Sequence, residues 1–500
     1  MNKENALEKL KAYENTLFAL NHAQGLIYYD GATTAPETSA LIRGNTLGEL
    51  SRISYELSTA PENIEMLEYL LSIKSELHPI NAREAEELYR DYDIIRKIPI
   101  KEYVDYQKLI SDADAVWHKA KENNDFASFE PYLQKIFDSN IRFSAYIDST
   151  KKPYDIALDL YERGLTSEVC DAFFTNLRKK LVPLVHAVSE ADQIDDSPLL
   201  QDFPVDKQRG FSSYLIDILG IDRRSCIISE TEHPFTIQFS KKDVRITTHY
   251  YENQLSSSLY SVVHEGGHAL YELGIGDELM NTCLEKGVSM AIHESQSRFY
   301  ENIIGRSREF CELILQYLKR CFPKQLKDID TDRFYKMINK SEPSLIRTEA
   351  DELTYCMHIM IRYELEKAMF DGDIKAHDLP SEWNRLYKEY LGVVVPDDRH
   401  GVLQDSHWSN GNIGYFPSYA FGSAYGAQIL DTMNKEINVY SEVKNKNIKA
   451  INEWNREHIW KYGSMYNPTE LFKKVCGKFN PDFYIRYLQK KYSEIYGISI

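Results

Sequence analysis

Apolar residues recur every three or four positions along most of the chain, the period of a helix that buries one face. From Asn5 to Leu26 the spacing of Leu7, Leu10, Leu17, Leu20 and Leu26 predicts one such helix. Helix starts are also marked. Thr166 or Ser167 can cap a helix with Glu168 in its first turn, Asn467-Pro468-Thr469-Glu470 opens another, and Pro481-Asp482 opens a last one with Phe483, Tyr487 and Leu488 on its face. The period drops to two in one place. Residues 235–240 and 243–250 alternate apolar with polar on either side of Lys241-Lys242, which predicts a β-hairpin just upstream of the most informative segment and hence a wall of any site there. No repeat, low-complexity tract or linker interrupts the chain, so residues 1–500 are expected to form a single domain. The expected fold is mainly α with one small antiparallel β-sheet.

Composition narrows the function classes. With 43% hydrophobic and 27% charged residues the chain has the make-up of a globular protein. Asp and Glu outnumber Lys and Arg by 76 to 59, leaving −17 and none of the basic excess that a nucleic-acid partner normally leaves in a sequence. The first twenty residues mix acidic and basic side chains without the apolar core of a signal peptide. The longest apolar run, Leu391 to Pro396, is far too short to span a bilayer. The seven cysteines are odd in number and lack a CxxC pair, as expected of reduced thiols in a cytoplasmic protein.

The chemistry begins at His264-Glu265-Gly266-Gly267-His268. Residues four apart share a helical face, so both imidazoles reach one ion, and Glu265 on the adjoining side can take a proton from a water at the metal. A catalytic site needs a third protein ligand. Tyr271 and Gly274 stand where a metzincin would have Gly and His, so that class is excluded. A glutamate on a second helix is the remaining common solution. The segment from Gly287 to Glu301 offers Glu294, on a face shared with the small residues Gly287 and Ala291. Glu285, ahead of that helix, and Glu301, two turns further on, are alternatives. His293 points away and serves either as a support for the site or as a core residue.

Four more motifs accompany this one, in order: DxRxT at Asp243-Val-Arg245-Ile-Thr247, His293-Glu294-Ser295-Gln296, IRxxAD from Ile346 to Asp351, and GxxQDxHW from Gly401 to Trp408. Together they resemble the carboxypeptidase Taq family of metallocarboxypeptidases. Tyr29 stands where that family often has Trp. The resemblance implies a mostly helical fold like that of neurolysin and angiotensin-converting enzyme, with a deep groove. It implies removal of single C-terminal residues from peptides with broad preference, zinc or cobalt as the metal, and a homodimer. It maps the metal ligands to His264, His268 and Glu294 and the general base to Glu265. No membrane or nucleic-acid partner is expected.

Two further groups are needed by an exopeptidase of this kind. An oxyanion requires donors, for which His407, Tyr415 and Tyr419 are suitable in type. A free terminal carboxylate requires a fixed cation. Arg347 is the first choice, with pairing to Asp351 or Glu349 as its structural alternative. Arg245 is the second, with bracing of the hairpin through Asp243 as its alternative. His407 and Tyr415 could instead form a packed aromatic cluster. Competing readings of the whole are an oligopeptidase or dipeptidyl carboxypeptidase on the same fold, and a non-catalytic metal protein, which would have no need of Glu265.

Overall fold

In the computed structural model, residues 1–499 are described, and helices dominate as the apolar period predicts. Lys3–Thr33 forms the first helix, its end closed by the Asn2 side chain accepting from the Asn5 amide. It packs with helices Ala40–Thr59, Pro61–Ser72 and Pro79–Lys97 around a small core of Ala6, Leu10, Tyr13, Met66, Leu67, Leu70 and Ala85. The other start signals hold as well. Thr166 caps helix Ser167–Glu190 by accepting from Val169, and Asn467 with Glu470 forms a reciprocal capping box at Pro468–Cys476. The final helix, Asp482–Tyr496, follows Pro481.

The sheet departs from expectation in one respect. Strands β1 (Cys226–Glu230), β2 (Thr236–Ser240) and β3 (Asp243–Thr248) are ordered β1-β3-β2. The predicted hairpin is β2–β3, antiparallel with Ile237 opposite Arg245, but β1 adds a parallel edge with Cys226 opposite Val244. The sheet is therefore mixed rather than antiparallel. A five-residue parallel strand has no tight turn to its partner and leaves little periodic trace. Val244 and Ile246 are fully buried beneath the sheet.

Below β3 runs helix α1 (Leu255–Leu273), which carries the HExxH residues. Helix α2 (Met290–Arg298) crosses it and continues into a wide π-helical segment, Phe299–Gly305. Helices α3 (Tyr355–Asp371) and α4 (Pro417–Met433) complete the surroundings of the site, with α4 packed along α2. Gly287 precedes α2, whose N-cap is Ser289, so it does not share a face with Glu294. A Cβ there would meet the His293 ring at 2.5 Å. The seven cysteines are free. No helix among the described residues is long and apolar enough to cross a membrane.

Candidate active site

Three glycines let the helices meet closely enough to gather the site. A Cβ on Gly267 would lie 2.7 Å from the Ser297 Cα and 2.8 Å from the Gln296 carbonyl, so α1 and α2 touch backbone to backbone. Gly266 does the same against the Leu219 side chain, at 2.7 Å. On the far side, a Cβ on Gly422 of α4 would come within 2.6 Å of the Glu294 side chain. Glu294 is thereby held between α1 and α4, facing the two histidines.

The resulting donor geometry is compact. Glu294 Oε2 lies 3.8 Å from His264 Nε2 and 3.6 Å from His268 Nε2, and the three donor groups fall within 4.8 Å of one another. Bonds of about 2.0–2.2 Å to a tetrahedral ion put its donors roughly 3.2–3.6 Å apart, so two imidazoles and a carboxylate at these spacings suit a divalent metal. The outer nitrogens are engaged, which leaves both Nε2 atoms aimed inward. His264 Nδ1 is 2.8 Å from Glu301 Oε2. His268 Nδ1 is 2.6 Å from His293 Nδ1, whose own Nε2 is 2.6 Å from Glu272 Oε1. A proton on Nδ1 of His268 then requires His293 to carry its proton on Nε2, donated to Glu272.

Arg298 ties the carboxylates together, donating from Nε to Glu294 Oε1 at 2.7 Å and from Nη1 to Glu301 Oε2 at 3.0 Å. Burial opposes ionisation of Glu301, but Arg298 and His264 overcome it and hold its carboxyl well below the usual range. His268 is pushed far down, by burial first and then by the neighbouring His293 and His264, so its ring is neutral as a metal ligand requires. Glu265, one residue from His264, is buried, and burial raises its carboxyl. Its Oε2 accepts a 2.6 Å hydrogen bond from Thr236 Oγ1 of β2. The hairpin is thus a wall of the site.

The remaining candidates divide into two groups. Arg347 is buried and joined to Asp405 through Nε at 2.9 Å and Nη2 at 2.9 Å, while Nη1 donates to the Tyr355 hydroxyl at 3.2 Å. The partners Asp351 and Glu349 suggested by sequence are not used, because Asp351 turns to the amides of Leu353 and Thr354 instead. Tyr419 and Phe416 lie beside the guanidinium, 5.2 and 5.7 Å from it to their ring centroids. His407 Nε2 is 3.2 Å from the Tyr419 hydroxyl, and its ring lies against Phe416. Burial, then the charge of Arg347, lowers His407 to about 4, so it is neutral near pH 7. Burial pushes Tyr415 up to about 12, and the charges of Glu294 and Arg347 both reach it. The structure therefore brings His407, Tyr415, Tyr419 and Arg347 together, with Tyr415 and Tyr419 within reach of the Glu294 charge.

Arg245 stands apart. Its Nε and Nη2 donate to the two oxygens of Asp243 at 2.9 Å each, and it lies over the rings of Phe239 and Tyr29. Among the described residues it shares no partner with the metal cluster. Glu285 also lies elsewhere, accepting from the amides of Lys241 and Asn281. Glu301 backs His264 instead of joining the donor cluster.

Sequence reasoning missed Thr236, Glu272, Tyr355, Arg362 and Glu366, and it missed the bridging role of Arg298. Only Arg298 left a signal, sitting four residues after Glu294 on one helical face. Glu366 of α3 is buried and accepts from Trp408 Nε1, the Gly414 amide and the Tyr154 hydroxyl, which pins the loop bearing His407 and Tyr415.

Two histidines one turn apart and a glutamate from a crossing helix, each backed by a hydrogen-bonded partner, form a donor set suited to one divalent metal ion in a helical body. The chain belongs to the carboxypeptidase Taq (M32) metallopeptidase family, whose model matches residues 9–492. It is similar to carboxypeptidase 1 of Bacillus subtilis, with 37% identity over 98% of this chain and 99% of that one. It is also similar to thermostable carboxypeptidase 1 of Pyrococcus furiosus, with 36% identity over 97% and 98%. The solved M32 carboxypeptidase of Deinococcus radiodurans superposes with a TM-score of 0.96 at 32% identity, covering 99% of this chain and 100% of that one. A Pyrococcus furiosus carboxypeptidase structure gives 0.94 at 35% identity, covering 98% and 99%. The protein is a metallocarboxypeptidase that depends on a divalent metal, and its substrates are peptides.

Proposed function

We propose that the enzyme releases single residues from the free C-terminus of peptides with broad side-chain preference, with Glu265 as general base. His264, His268 and Glu294 would hold the metal, which we take to be zinc, with cobalt as the substitute. When bound, the metal polarises the attacking water and the scissile carbonyl. Glu265 accepts the water's proton and delivers it to the leaving amine. Its burial favours proton acceptance, and the Thr236 hydroxyl fixes the carboxylate's direction. Tyr415, Tyr419 and the neutral His407 stand ready as donors to the oxyanion.

The observation that carries the exopeptidase reading is the donor count on Arg347. Asp405 and Tyr355 engage Nε–H and one N–H on each terminal nitrogen, leaving a second N–H on each. We assign those two as the donor pair for the terminal carboxylate. Arg245 has its fork closed on Asp243 and is the weaker candidate. Arg347→Met is expected to raise KM for a peptide acid about 100-fold and to leave the C-terminally amidated twin unchanged. An equal loss on both twins would refute the anchor.

We further propose that residues 1–500 act as one catalytic domain, that the enzyme is cytoplasmic, and that it is a homodimer. The homodimer rests on the family resemblance and is checked by light scattering, where a monomer mass at micromolar concentration would refute it.

A further inference from the structure

Behind Arg347 lies a second arginine that no motif points to. Arg362 of α3 is fully buried, and it donates to Asp405 Oδ2 from Nε at 2.6 Å and lies 2.5 Å from it through Nη2. Its other N–H groups go to Gln404 Oε1 at 2.8 Å, the His358 carbonyl at 2.8 Å and the Tyr387 hydroxyl at 3.4 Å. Its guanidinium lies over the Trp383 ring at 4.4 Å. All five N–H groups are engaged, so Arg362 has none left for substrate.

The charges are what set this cluster apart. Asp405 divides its two oxygens between the two arginines, Oδ1 to Arg347 and Oδ2 to Arg362. A simple buried ion pair would cancel, and Arg347 with Asp405 alone would offer no net charge to an incoming carboxylate. Arg347, Asp405 and Arg362 together carry one positive charge in excess, and Glu366, one turn along α3 and within reach of Arg362, has its carboxyl pushed up to about 7 by burial and so does not fully cancel it near pH 7. His358 and His407 beside the cluster are both driven neutral by burial and by these arginines, while Lys121, which donates to the Gln404 carbonyl and lies over the Trp117 ring, also feels the charge of Asp405 and adds to the positive side. An unbalanced buried cation is costly unless a counter-charge arrives.

We propose that Arg362 is a positioning residue of the carboxylate site: through Asp405 it aims the open edge of Arg347, and its charge leaves the pocket one anion short. The substrate's terminal carboxylate is that anion. The inference rests on Arg347 being the anchor, and the test separates the two. Inhibition constants for N-acetylphenylalanine and its amide are compared, in competition with a reporter peptide. The wild-type enzyme prefers the acid, and Arg347→Met abolishes the preference. Arg362→Met is expected to lower it about tenfold, as removal of one nearby charge in a partly screened site should, with a much smaller change in kcat. Arg362→Lys, which keeps the charge, retains most of the preference.

The same substitution is also made in an Asp405→Asn background, where no carboxylate is left unpaired. There too the preference falls about tenfold, which decides the matter if Arg362→Met alone does not fold. A preference unchanged by Arg362→Met in both backgrounds, or equal losses for acid and amide, overturns the role of Arg362 while leaving the anchor standing. A wild-type enzyme without preference for the acid, or a preference that survives Arg347→Met, overturns the anchor itself.

Discussion

The contact between α1 and α2 at Gly267 makes the sharpest demand on the account, because it couples one hydrogen atom's worth of space to the metal. Substitution by alanine adds a Cβ that would sit 2.7 Å from the Ser297 Cα and 2.8 Å from the Gln296 carbonyl. Both neighbours are backbone and cannot rotate away. Restoring ordinary contact requires the helices to part by about 0.7 Å, and overpacking of this kind costs about 1–3 kcal/mol. The consequence at the site is larger than the cost in stability. Glu294 Oε2 stands 3.6 and 3.8 Å from the two imidazole nitrogens. Displacement along those vectors would carry the separations to about 4.3–4.5 Å, and two bonds of about 2.1 Å cannot span more than about 4.2 Å. Gly267→Ala should therefore weaken metal binding by at least tenfold, read by competition with a chromogenic chelator, and lower the urea midpoint. Gly48→Ala is the control, since a Cβ there meets nothing within 4 Å. It should be neutral or slightly stabilising, by about 0.5–1 kcal/mol. If the two variants hold metal equally well, the close crossing does not set the site.

Two further predictions concern groups the reaction does not touch directly. His293→Phe removes the middle of the chain from His268 to Glu272 and should weaken metal affinity about 10–100-fold, the usual effect of losing such a support. Unchanged affinity by chelator competition would reduce His293 to a core residue. Glu162 is buried with Oε1 lacking a partner, and burial raises its carboxyl to about 7. A folded-state value above the unfolded one means that stability is lost as pH rises from about 4.5 through 7. Glu162→Gln should thus match the native protein at pH 5 and gain about 2–3 kcal/mol over it at pH 8. Denaturant titrations at the two pH values check this, and an equal effect at both would contradict it.

What the sequence made legible follows from locality. His264, Glu265 and His268 lie within one turn and a half of a single helix, so spacing alone places them. Glu294 needed only a second helix and a reversal between them. The β2–β3 hairpin was readable because its strands are adjacent and alternate. Thr236 against Glu265, and Glu272 against His293, are contacts across elements and left no periodic mark. Arg362 was hidden more deeply, since a buried arginine on an otherwise apolar helix has no pattern of its own until Asp405 folds against it. Gly287 misled for a related reason: expected on one face with Glu294, it precedes the helix, and its lack of a side chain makes room for the His293 ring.

The central claim is that a metal held by His264, His268 and Glu294 drives stepwise removal of C-terminal residues. The direct measurement is mass spectrometry of one defined peptide over time, with enzyme stripped by chelator and then given one equivalent of zinc. The account predicts no products before zinc and, after it, a ladder in which each species is shorter than the last by one C-terminal residue. Internal fragments, loss of residues in pairs, or the same ladder from the stripped enzyme would contradict it.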